Sequence, residues 1–330
     1  MSTSSIKMNK YRVWEYWSML NSAVQTERTS LHNDYLSPDL VWFGPHPINS
    51  ITGREALEFC FYQPLFHSFP DLRRKTDIFL SGNFCGKEWI SATGHFIGTF
   101  THDWLGIPSN GKVAYIRFGQ FSKIEGGKIV ETRILLDLID LMRQVGIQVL
   151  PKSRGTEWVV PGPSTKDGVL LLEQDPSATK KSLELVESMI FGLKNYDQSN
   201  LTSMGMDRFW NPEKMVWYGP TGIGTTYGLK GFQQDHQQPF LHAFADRQGG
   251  YHVARIAEGH YTATTGWPSV LATHQGEYLG TPATGKQIGM RVMDWWRREE
   301  DLLTENWVFI DLPHLFLQFG IDLFSKMHSS

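Results

Sequence analysis

The chain has 330 residues, 41% hydrophobic and 20% charged, with a formal net charge of −3. That length points to two domains, since single cores seldom grow far past about 200 residues, and the small net charge gives no electrostatic ground for nucleic acid or an anionic membrane as partner. The polar start, residues 1–10, lacks an apolar leader, no run of about 18 apolar residues occurs, and Cys60 and Cys85 fit neither a metal spacing nor a disulfide framework, so a soluble cytoplasmic protein is expected.

Taken in chain order, residues 8–36 carry apolar side chains at helical spacing, among them Tyr11, Trp14, Trp17 and Leu20. A short strand from Leu40 to Gly44 ends at Pro45, and a helix over 53–67 follows. Strands are predicted over 87–100, 112–124 and 128–138, with Gly126-Gly127 as a hairpin turn between the last two. Residues 149–169 hold Pro151, Gly155, Pro161, Gly162, Pro163 and Gly168 and read as an extended linker. The same order then recurs: a helical pattern over 180–210, a strand from Met215 to Gly219, a helix over 228–243, and strands over 260–278, 286–298 and 302–311. The expected division is 1–150, a linker over 151–172, and 173–330. Helices first and an antiparallel sheet last is an α+β arrangement with helices on one sheet face.

The recurrence is also visible residue by residue. At an offset of 174, the 44 positions from Leu105 to Gln148 give 14 identities, where unrelated composition would give about three. Among them are Leu105-Gly106 with Leu279-Gly280, Arg117 with Arg291, Glu131 with Glu305, and Asp137-Leu138 with Asp311-Leu312. At an offset of 175, Trp42-Phe43-Gly44-Pro45 meets Trp217-Tyr218-Gly219-Pro220, and His67, Phe69 and Asp71 meet His242, Phe244 and Asp246. A single one-residue indel reconciles the two registers.

Three segments carry a family likeness: HSFPDL from His67 to Leu72 after a helix, GEYLGTPATGK over 276–286, and GKIVE over 127–131. In this order, and with the counterparts in each half, they resemble the SnoaL-like polyketide cyclases of the nuclear-transport-factor-two-like superfamily. The resemblance implies two tandem cystatin-like cone domains, each a curved mixed or antiparallel sheet wrapped around N-terminal helices with a central pocket. It also implies dimerisation through the outer sheet face, which a tandem chain could satisfy as an intrachain pseudo-dimer, with a further homodimer left open. The implied chemistry is a cofactor-independent cyclase, isomerase or dehydratase; because this superfamily also hosts binding modules, a non-catalytic protein for a small apolar or aromatic ligand is the alternative.

The family's aldol-type cyclases use an Asp on the last strand and a His on the strand before it. Carried over, the Asp position falls on Ile134 and Val308, and the His position on Gln120 and Asp294. A hairpin closing near 300–301 would set Asp294 opposite Val308, one strand away from the family's Asp. Asp294 is therefore the candidate proton-transfer group if it faces the pocket, or a solvated partner of Arg291 or Arg297 if it faces outward. His274 is its candidate partner, provided that the loop over 282–285 pairs the strands without a bulge; otherwise it is a surface or structural histidine. Trp217, Tyr218, Trp267, Trp296 and Asn306 are candidates for the pocket wall, with core packing the other reading for the aromatics. His242, like His67, either serves a shared structural task or borders the pocket mouth. The first domain, without this carboxylate, is expected to be silent. No spacing suits a metal, and neither a phosphate loop nor a nucleophile elbow is present.

Overall fold

The structure, a computed structural model, describes residues 3–327. It divides into two compact units, one comprising residues up to 147 with 164–173, the other 148–163 with the chain from 174 onward. The proline- and glycine-rich segment is thus shared out between the units. In the first, Phe79 N donates to Gly168 O at 2.8 Å and Leu170 N to Phe79 O at 2.9 Å; in the second, Thr156 and Thr225 exchange backbone bonds of 2.8 Å.

The first unit opens with α1 (Thr3–Met19) and α2 (Gln25–Tyr35), followed by β1 (Leu36–Phe43) and β2 (Ser50–Thr52). The predicted single helix is broken at residues 20–24, where Glu27 reaches back to the Val24 backbone N–H (2.9 Å) and starts α2 afresh. Next come α3 (Arg54–Leu57), a π turn (Glu58–Tyr62) and α4 (Gln63–Ser68), then β3 (Arg73–Phe84), β4 (Lys87–Thr99), β5 (Val113–Glu125), β6 (Lys128–Leu136) and α5 (Leu138–Gln144). The sheet order is β2-β1-β6-β5-β4-β3, antiparallel except where β1 runs parallel to β6.

The second unit repeats this plan: α6 (Pro176–Gly192), β7 (Val216–Tyr218), β8 (Thr225–Tyr227), α7 (Gly228–Phe232), a π turn (Gln233–Gln237), α8 (Gln238–Ala243), β9 (Gln248–Gly249), β10 (His252–Glu258), β11 (Tyr261–Thr273), β12 (Gln287–Glu299), β13 (Leu302–Ile310), α9 (Leu312–Phe319) and α10 (Leu323–Lys326). Its sheet runs β10-β11-β12-β13-β7-β8, with β9 on β11 and β7 parallel to β13. Both sheets are mixed and open, so each unit is the α+β cone-type domain that the resemblance implied. The helical pattern over 180–210 gives only α6 and three 3₁₀ turns, because the polar run 197–200 makes Asx-type bonds of its own and Gly205 turns left-handed.

The matched residues have structural reasons. Asp137 and Asp311 each cap the helix that follows, accepting from Asp140 N at 3.1 Å and from His314 N at 3.2 Å. Asp71 and Asp246 clamp the ends of β4 and β11, accepting from Thr99 N (2.6 Å) and Thr273 N (2.8 Å). In the Trp-x-Gly-Pro pairs the indole folds back over the glycine. A Cβ on Gly44 would stand 2.2 Å from Trp42 Cζ3, and one on Gly219 2.1 Å from Trp217 Cζ3. Gly219→Ala should therefore push Trp217 out of its seat and cost on the order of 1–3 kcal/mol. A melting temperature equal to that of the parent protein would contradict this reading of the motif.

Candidate functional site

The site rests on which face of β12 each side chain occupies. Arg298, near the end of the strand, donates through Nε to Ser182 Oγ (2.9 Å) and through Nη2 to Ala178 O (3.3 Å), both on α6. Even-numbered residues of β12 therefore face the helices, and odd-numbered ones face away. The irregularity at this end inserts Thr304 into β13 and leaves the alternation of β12 intact. Asp294, four residues before Arg298, is on the helix side. The register pairs it with Val308 on one flank and Thr264 on the other.

Asn306 lies diagonal to Asp294 and donates to its Oδ1 at 3.3 Å and to Trp295 O at 3.0 Å. Asn306 pairs in turn with Trp217 on β7. The Trp217 ring stacks on His236 from the π turn, with centroids 4.0 Å apart and planes inclined by 16°. Phe232 and Phe240 flank that imidazole at 5.5 and 5.6 Å. Asp294, Asn306, Trp217, His236 and Trp296 thus form one continuous surface under the helices.

Burial sets the electrostatics. Asp294 lies deep in the domain, and among the described residues no cation stands beside it: Arg291, on the opposite face, pairs with Asp311 at 3.1 Å, and Arg297 is bonded to Glu305. Loss of hydration raises its carboxyl to about 7, against a small lowering by the Asn306 bond. Burial pushes His236 the other way, to about 3, so its imidazole is neutral at ordinary pH. Both residues nonetheless keep partial accessibility.

Among the described residues, the same face holds buried polar atoms without protein partners: Trp296 Nε1, Thr262 Oγ1 opposite Trp296, and Thr226 Oγ1 opposite Trp217. Such orphans are uncommon and call for water or a ligand. A separate open groove of about 530 Å³ between α6 and the 3₁₀ turns, bordered by Glu187, Phe191 and Arg208, shares no residue with this face.

Four sequence candidates lie elsewhere. His274 does not meet Asp294: its backbone N–H donates to Lys286 O, so it sits ten residues along β11 from Thr264, the true neighbour. There its ring stacks on Phe319 at 3.9 Å and its Nδ1 meets Thr284 Oγ1 at 3.1 Å. Tyr218 alternates to the outer face, where it stacks on Trp307 at 5.3 Å and donates to Glu305 Oε1 at 3.2 Å. Trp267 also faces outward, 4.9 Å from the Arg291 guanidinium. His242 is exposed at the end of α8 and lies against Gly276. His236 is not among the residues singled out from the sequence; the π turn that aims it leaves no simple periodic signal.

A family model for the SnoaL-like polyketide cyclase matches residues 16–145 and again 205–319. Among solved structures, AclR from Streptomyces galilaeus is 23% identical, with a TM-score of 0.35, over 43% of this chain and 97% of its own. A SnoaL-like polyketide cyclase from Agrobacterium tumefaciens is 20% identical (TM-score 0.33; 41% of this chain, 95% of its own), and IdmH from Streptomyces antibioticus is 21% identical (TM-score 0.33; 41% and 98%). No curated protein matches the chain. Among the described residues no helix is long and apolar enough to cross a membrane.

Proposed function

The chain belongs to the SnoaL-like polyketide cyclase family, its model matching both halves, and from that premise we propose that it is a small-molecule enzyme acting by proton transfer in the second domain. The observation that carries the proposal is Asp294, a carboxyl raised to about 7 on a helix-covered face that also holds unpartnered polar atoms. With that value, both protonation states are populated at neutral pH, the condition under which one group can serve as base and then as acid.

The reaction class that fits is proton abstraction next to a carbonyl. Asp294 carboxylate takes a proton from the carbon, leaving an enolate. The enolate carbon then bonds to a second carbonyl carbon of the same molecule, and the alkoxide so formed takes the proton back from Asp294. The proton is borrowed and returned, so the balance closes without oxidant or reductant. Asn306 holds one carboxylate oxygen and thereby aims the other. Trp217 and Trp296 supply flat apolar surface for a cyclic or conjugated substrate.

One observation favours a second reading, binding without turnover: the position of the family's Asp is Val308 here and Ile134 in the first domain. A carbon-13 titration of the Asp294 carboxyl separates the two. The enzyme reading expects a midpoint near 7 that moves when a bound small molecule is displaced. A midpoint in the ordinary carboxylate range would sink it and leave the binding protein.

A further inference from the structure

The first domain places a glutamine, Gln120, where the second has Asp294, and beneath the same helix-covered face it buries a cation. Arg74 on β3 donates through Nη1 to Gln120 Oε1 (2.9 Å) and through Nε to Thr76 Oγ1 (3.3 Å). Its guanidinium lies 3.9 Å from the Trp17 ring centroid and 4.0 Å from that of Phe118, with Phe96 at 5.6 Å. The Nη2 group is buried and has no hydrogen-bond partner. Among the described residues no carboxylate comes within ion-pair distance of Arg74. Glu58, the acid on this side, is already taken by Arg28 at 3.0 and 3.3 Å and lies 3.6 Å from His32 Nδ1. The repeat position of Arg74 in the second domain is Gly249, so the cation is peculiar to the first.

Burying an uncompensated guanidinium costs several kcal/mol, which aromatic faces offset only in part. The cost shows in Arg74 itself, whose proton affinity burial pushes down to about 9. Tyr16 and Tyr62 stand close enough to shift its ionisation, and burial raises both phenols, so they remain protonated donors. Guanidinium and phenols are thus donors on one side of the domain, with Trp17, Phe118 and Phe96 against the guanidinium and the acid that acts on both phenols, Glu58, held by Arg28. Arg74 and Tyr62 both keep partial accessibility.

We propose that the first domain is a binding site for a small, flat organic carboxylate, anchored by Arg74 and oriented by Gln120, with Tyr16 and Tyr62 as further donors. A carboxylate offers two acceptors to the planar guanidinium fork, and an aromatic or conjugated body suits the indole and phenyl walls. The domain without the acid–base carboxylate is then a recognition site, of opposite polarity to its repeat.

The test uses the full chain and 2-naphthoate, with 2-naphthalenemethanol as its neutral counterpart. Calorimetry should find one naphthoate site, with the alcohol at least about tenfold weaker, since the charge-assisted contact is lost. Arg74→Met should weaken naphthoate binding by a similar factor or more, while Asp294→Asn leaves it unchanged, because the two sites share no residue. In protein labelled with nitrogen-15 arginine, the Arg74 Nε resonance should shift on addition of naphthoate; this measurement needs no variant and stands even where Arg74→Met does not fold. No naphthoate binding, equal binding by the alcohol or by Arg74→Met, or an unmoved Arg74 resonance would each overturn the proposal. None of these results bears on Asp294.

Discussion

Asp294→Asn should abolish turnover, by on the order of 10²–10⁴-fold, while making the protein more stable at neutral and alkaline pH. The two effects share one cause. In the unfolded chain Asp294 titrates near its ordinary value of 3.8, whereas burial raises it to about 7 in the fold. Below about 4 the carboxyl is protonated in both states and contributes no difference. As pH rises from about 4 to 7, the unfolded chain ionises first and the folded state loses up to about 1.4 kcal/mol per pH unit. Above 7 the penalty is complete and constant. Asparagine carries no such penalty, although its amide must still be buried, so a net gain of roughly 1–3 kcal/mol at pH 8 and almost none at pH 4 is expected. Thermal melting of both proteins across that range measures it. A variant that melts with its parent at every pH would show that Asp294 is not a buried charge.

The part of this site that was legible in sequence is the part fixed by short connections. The short turn at Glu300-Asp301 brings β12 and β13 together; strict counting from Glu299 and Leu302 would set Asp294 opposite Trp307, and the extra residue Thr304 in β13 restores the expected pairing with Val308. The repeat located the Trp217 strand, and its parallel partner brings Asn306 beside it. Counting failed across 274–286, because that loop contains a turn of its own, with Tyr278 paired to Thr281 and Leu279 left-handed. A bulge between Gly266 and Val270 then shifts β11 again, and His274 ends far from the carboxylate. Alternation alone also separates Trp217 from Tyr218, and only knowledge of the covered face says which of the two points inward. Arg74 lies between Arg73 and Lys75 in what reads as a solvated basic run. Its neighbours are exposed and it points in, the period of a strand that local charge disguises.

Acidification should destabilise the protein steeply between about pH 6.5 and 4, and the slope should depend on His236. Burial holds His236 down to about 3, and His32 and His252 to about 4, the latter two further lowered by Arg28 with Arg54 and by Arg255 respectively. Glu58, 3.6 Å from His32, does not reverse this, because its charge is spent on Arg28. Each histidine binds a proton in the unfolded chain below about 6.5 that the fold refuses until 3 or 4, so each removes up to about 1.4 kcal/mol of stability per pH unit as pH falls through that window. Asp294 acts in the opposite sense over the same range, because the fold takes up its proton first. Within the second domain His236 and His252 against Asp294 leave a net loss of up to about 1.4 kcal/mol per pH unit, to which the lowered His274 adds; in the first domain His32 is opposed by Glu88, which burial raises. Carboxylates held low by hydrogen bonds, such as Asp71 and Asp246, add their loss only below about 4. His236→Phe, which keeps an aromatic ring against Trp217, should therefore flatten the slope by up to about 1.4 kcal/mol per pH unit. Asp294→Asn should steepen it, since the compensating proton uptake of the second domain is gone. Equal slopes in the parent and both variants would mean that neither group is held in its buried ionisation state.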